Sequence, residues 1–158
     1  MQVRPPRFGS TQRAGRTGRY NEPLRREPTL MDRERFEALV EDAWDAIPDE
    51  FRERFDNLAI FVEDEPSREQ LESAGVAPGH TLLGLYQGVP LSRRGFGYTL
   101  TMPDRVTLFQ GPIERAAPSW RDVPQVIYDT LWHELAHHLG MNEKEVRAAE
   151  RRRGRWLQ

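Results

Sequence analysis

The apolar positions of the chain fall into a few patterned runs, separated by charged, Pro-rich and Gly-rich stretches. Phe36, Leu39, Val40, Ala43 and Ile47 recur at helical spacing and predict a helix over residues 32–47 with one apolar face. Pro48 suits the first turn of a short second helix, PDEFRERF. The run Leu58-Ala59-Ile60-Phe61-Val62 predicts a buried strand, closed by Glu63-Asp64-Glu65-Pro66. Residues 67–74 predict a short helix stopped by Gly75, and residues 81–88 a second strand. Residues 89–103, with Gly95, Gly97 and two prolines, read as a loop. Residues 105–110 predict a third strand, ended by Gly111-Pro112. A proline there cannot donate to a ladder, so this strand is expected at a sheet edge. Ser119 is placed to cap a long helix ending at Gly140, and Asn142 to cap a last helix from residue 143 to about residue 153. The Arg-rich end of that helix complements its negative pole.

Composition sharpens this picture in two places. The 158 residues are enough for one domain with a real core. There is no cysteine, which excludes disulfides and thiolate metal sites. No apolar run is long enough to span a bilayer, and the N-terminus lacks the apolar core of a signal peptide. A cytoplasmic protein is the expectation. Lys144 is the one lysine among 23 basic residues, an arginine bias like that of a high-GC bacterial genome. Net charge is −2, but residues 1–30 hold seven arginines and two glutamates, a net of +5 that leaves −7 on the rest. That first segment is rich in Arg, Gly, Pro, Ser and Thr, and it has too few apolar groups to offset its ordering entropy. It is expected to be a disordered tail preceding a domain over residues 31–158. A tether for nucleic acid or an acidic partner, or a pro-segment lying in an acidic cleft, is an alternative. Without interleaved aromatic residues for base stacking, a solvated tail is the simpler reading. The acidic triplet 63–65 offers oxygen ligands for calcium or magnesium. No glycine turn or ordered ligand spacing accompanies it, so it reads as a solvated strand end.

The candidate chemistry lies in the long C-terminal helix, within Leu131-Trp132-His133-Glu134-Leu135-Ala136-His137-His138-Leu139-Gly140. This contains H-E-x-x-H, a signature of zinc hydrolases. Residues four apart lie one turn above each other, so His133 and His137 can offer two imidazoles to one ion. Glu134 stands about 100° around the helix, beside such an ion rather than on it. Catalytic zinc usually takes three protein ligands and a water whose pKa it lowers to about 7, with Glu134 as the base. The apolar flanks of this helix predict burial nearly all round, and buried histidines need partners. His138 points away from the pair and reads as structural. Asp129 shares a face with His133, where it either orients that imidazole or is solvated.

A third ligand is expected beyond Gly140, a residue able to adopt the left-handed turn that ends a helix and redirects the chain. Glu143 lies three residues later and completes H-E-x-x-H-x-x-G-x-x-E. Glu145 matches a capping box with Asn142, and Glu150 is the position a glutamate from a later helix would take.

This extended motif, with LLGLYQGVPLSRR (residues 82–94), MPDRVTLFQGPIER (102–115) and LWHELAHHLGMNEKEV (131–146), resembles the small bacterial zincin-like metallopeptidases over about a third of the chain. The resemblance implies a minimal zincin-like α+β fold: a small mixed sheet, an active-site helix under it, and an edge strand bordering the cleft. It implies His133 and His137 as zinc ligands and Glu134 as the base. An acidic residue, commonly Asp, stands in that family where Glu143 stands here. No methionine follows Met141, so the methionine turn of metzincins has no counterpart.

The expected function is zinc-dependent peptidase activity on a peptide or protein lying along the edge strand of residues 105–110. Tyr98, Arg93 or Arg94 are candidates for stabilising the oxyanion. The alternative is a non-catalytic module, with zinc structural or absent, that recognises a protein or nucleic-acid partner.

Overall fold

The computed structural model describes residues 7–9, 31–88 and 103–142, together with Lys144, Glu145, Arg147 and Ala148. Along the chain these give β1 (Arg7–Gly9), α1 (Arg33–Asp45), α2 (Asp49–Arg52), β2 (Leu58–Glu63), α3 (Arg68–Ser73), β3 (Gly84–Gln87), β4 (Asp104–Phe109), α4 (Gln110–Ala116) and α5 (Val123–His138). Among the described residues the strands form one sheet in the order β1-β2-β4-β3. β1, β2 and β4 run parallel, and β3 is antiparallel to β4. The fold is therefore α+β with a small mixed sheet, as the family resemblance implies.

Local signals account for the helices that lead into this sheet. The Asp32 side chain caps α1 by accepting from the Arg35 N–H at 2.9 Å. Of the predicted apolar face, Phe36, Val40 and Ala43 are buried within α1 and Ile47 just beyond its end, Leu39 is partly buried, and Trp44 joins them. Ser67 and Gln70 form a reciprocal capping box at the start of α3, and Gly75, at φ +67°, follows its end.

One core lies between the sheet and the helices. Strand alternation sends Leu58, Ile60 and Val62 of β2 to the same side as Val106 and Leu108 of β4. Val40 and Trp44 of α1, and Ile127, Leu131 and Leu135 of α5, belong to the same apolar cluster. On the opposite face of the sheet, the Arg105 guanidinium lies 4.0 Å from the Phe61 ring centroid and pairs with Glu63 at 2.5 Å.

Several expectations need correction. The strand over residues 105–110 is not at an edge: β4 sits between β2 and β3. Gly111 and Pro112 lie inside α4. Pro112 is third in that helix, where a missing N–H removes no intrahelical bond, so the proline marks a helix start rather than an exposed strand. Ser119 does not cap α5. The N-cap is Asp122, to which the Ser119 hydroxyl donates at 2.6 Å, and Pro124 occupies the first turn. Within the expected tail, Arg7–Gly9 forms β1 and pairs with Ala59–Phe61. The rest of residues 1–30 and the predicted loop up to residue 102 lie outside the described residues. The acidic triplet ends β2 with Asp64 and Glu65 exposed, as expected, and each carboxylate also meets an arginine: Glu63 meets Arg105, Asp64 meets Arg33, and Glu65 meets Arg115 at 2.6 and 2.8 Å.

Candidate active site

Helix α5 buries Ile127, Leu131, Leu135 and Ala136 but is not buried all round. Its last turns break the surface: His133 and Glu134 are half-buried and His137 is exposed. The fully buried histidine is His138, and the need for a partner falls on it. Its Nδ1 lies 3.0 Å from the Tyr86 hydroxyl and 3.6 Å from Asp104 Oδ2.

The helix ends as Gly140 predicts. Gly140 takes φ +70°, its N–H donates to the His137 carbonyl, and the Met141 N–H donates to the Ala136 carbonyl, both at 3.0 Å. These are the two bonds of a Schellman turn. Asn142 then caps the following segment: its side chain accepts from the Glu145 N–H at 3.0 Å, and its own N–H donates to Glu145 Oε2 at 2.8 Å. The Glu145 carboxylate is thus engaged in a capping box.

His133 and His137 converge. Their Nε2 atoms are 3.0 Å apart, and their rings stand 4.6 Å apart and nearly perpendicular. Two nitrogens bound tetrahedrally to one zinc, each about 2.0–2.1 Å away, would lie about 3.3–3.4 Å apart. The observed pair is within a few tenths of an ångström of that, so these imidazoles fit zinc as two of its ligands. Both offer nitrogen donors of the kind zinc takes.

Glu134 lies between this pair and the sheet. Its Oε2 accepts from the Tyr86 main-chain N–H at 2.9 Å. Burial raises its carboxyl pKa above the ordinary carboxylate value, and His137, His133 and the Tyr86 N–H each oppose that rise. The Asp129 carboxylate is exposed and accepts from Gln125 at 2.7 Å.

Residues of β3 make this arrangement possible. A Cβ on Gly84 would stand 2.8 Å from Thr130 Cγ2 and 2.9 Å from Glu134 Cγ, so the absence of a side chain lets α5 lie against the strand. An isolated glycine in a strand signals such close approach. Tyr86 carries no comparable signal, because its contribution is a main-chain donor. Glu143, Glu150, Arg93, Arg94 and Tyr98 lie outside the described residues. Among the described residues, no cluster of three or more His, Cys, Asp or Glu is placed to hold a metal.

An α+β domain with H-E-x-x-H on a helix packed against β3, the last strand of the described sheet order, resembles the arrangement of zincin-type proteins. The chain belongs to the zincin-like metallopeptidases, whose family model matches residues 55–153, well over half of it. A solved structure of a conserved hypothetical protein from Thermus thermophilus is similar at 28% identity and a TM-score of 0.46, covering 68% of this chain and 92% of that one. No curated protein matches the chain. No described helix is long and apolar enough to cross a membrane.

Proposed function

We propose that this chain is a zinc-dependent peptidase, with His133 and His137 as metal ligands, Glu143 as the third, and Glu134 as the general base. The observation that carries the reading is the pair of Nε2 atoms 3.0 Å apart at the surface end of α5, with the Glu134 carboxylate beside them. Zinc held there would activate water at neutral pH and polarise a peptide carbonyl. Glu134 accepts the water's proton and returns it to the leaving amine. β4 lies between β2 and β3 in the described sheet, so an extended peptide is not expected to add along it.

The test pairs two variants. Glu134→Gln is expected to keep its zinc and lose at least about a hundredfold in peptide hydrolysis, because the amide cannot take a proton. His137→Ala is expected to lose zinc. Undiminished hydrolysis by Glu134→Gln removes the base. Equal zinc content in His137→Ala and wild type removes the metal site. A zinc-loaded wild type inactive on a broad peptide library would instead favour the non-catalytic module.

A further inference from the structure

We propose that Tyr86 is the positioning residue for Glu134, acting through its main chain while its side-chain hydroxyl is anchored by His138 and Asp104. The kinetic part of this proposal rests on Glu134 being the base; the structural part does not.

The ladder fixes which way Tyr86 points. The Phe109 N–H donates to the Leu83 carbonyl at 2.9 Å, and the register pairs Leu85 with Thr107 and Gln87 with Arg105. In an antiparallel pair the inward-bonding residues alternate. The main-chain groups of Gly84 and Tyr86 are therefore directed away from β4. An N–H directed away from its ladder would ordinarily face solvent or another strand. Here it donates to Glu134 Oε2 at 2.9 Å. The neighbouring glycine leaves room for this reach, since Glu134 Cγ lies where a Gly84 side chain would begin. One carboxylate oxygen is thus committed to the strand, and Oε1 is left for a proton.

The same residue is anchored from its other end. The Tyr86 hydroxyl lies 3.0 Å from His138 Nδ1 and 3.3 Å from Asp104 Oδ1, and its ring meets the His138 ring edge-on at 5.2 Å. His138 is 1% exposed and Asp104 5% exposed, so this is an interior polar cluster. It joins three elements: α5 through His138, β4 through Asp104 and β3 through Tyr86. His138 lies one turn beyond Glu134 on the same helix. Tyr86 therefore ties α5 to β3 twice, by its hydroxyl to His138 and by its N–H to Glu134. Sliding or rotation of the helix against the strand would break both bonds together.

Amide hydrogen exchange of the metal-free protein, read by NMR, tests the structural part. Wild type is expected to protect the position-86 amide, and Glu134→Ala to release it. Tyr86→Phe is expected to speed exchange at position 86 at least about tenfold, with the ladder amides of Leu85 and Gln87 unchanged. Protection retained at position 86, or lost equally along β3, overturns the proposal. If Tyr86→Phe does not fold, Gly88→Ala takes its place with the same outcomes. A Cβ there would stand 2.2 Å from Asp104 Oδ1 and 2.8 Å from the Tyr86 hydroxyl, so it wedges the cluster from the exposed strand end. In the zinc-loaded protein, Tyr86→Phe is expected to lower kcat about 10- to 100-fold, the range of a lost supporting contact, with KM and zinc content within about twofold. An unchanged kcat beside a loosened amide overturns the catalytic part. An inactive wild type sinks the peptidase reading and leaves the exchange result to decide the structural part.

Discussion

At the scale of single residues, the site depends on what surrounds Glu134 as much as on the histidines. Burial holds its carboxyl above the usual carboxylate range, so in the metal-free protein the native state binds this proton more tightly than the unfolded chain does. Its contribution to stability is complete below the unfolded carboxyl range and is lost as pH rises through the native pKa. Glu134→Gln has no proton to lose. The metal-stripped variant is expected to melt above metal-stripped wild type at neutral pH, and the gap to close toward about pH 4. Thermal melts across that range check this, and a gap independent of pH would count against it. Gly84 is the second residue-scale constraint. Gly84→Ala places a methyl within 3 Å of Thr130 and Glu134 side-chain carbons, so overpacking is expected to cost about 1–3 kcal/mol in denaturant unfolding. An unchanged midpoint would mean that α5 shifts away without resistance.

The element that matters most is the end of α5. Gly140 at φ +70° and the two bonds of its turn reverse the chain just after His137. The Asn142–Glu145 capping box then starts the next helical segment. Glu145→Ala is therefore expected to cost about 0.5–2 kcal/mol, as lost caps do, and to leave zinc affinity nearly unchanged. Glu143→Ala is expected to weaken zinc binding far more, and Glu143→Asp to be tolerated. Competition with a chelator ranks the variants. A large loss for Glu150→Ala with none for Glu143→Ala would move the third ligand to the later helix.

Across the whole molecule, β1 covers the flank of β2 opposite β4, and the described apolar cluster runs from Phe36 to Ala136. Removal of residues 1–30 is expected to leave a cooperatively unfolding domain that binds zinc, because no residue of that cluster is lost. It also uncovers the main-chain edge of an apolar strand, so self-association is expected to rise. Sedimentation and thermal melts report the two effects separately. Loss of cooperative unfolding would make β1 part of the folding unit.

The sequence by itself determined the local features. Periodicity placed α1, strand composition placed β2, and Ser67 with Gly75 bounded α3, because helix faces, caps and left-handed turns are set by residues within one or two turns of each other. The same locality made the His133–Glu134–His137 spacing and the Gly140 turn legible. Tertiary structure alone decided the order of the strands. Pro112 could not reveal that β4 is interior, because a proline that ends a strand and one that begins a helix look alike along the chain. It also decided that the buried histidine is His138, that the acidic triplet meets three arginines, and that the Tyr86 N–H holds Glu134. Each of these depends on contacts between residues far apart in sequence, and the last uses a backbone donor that every residue except proline possesses.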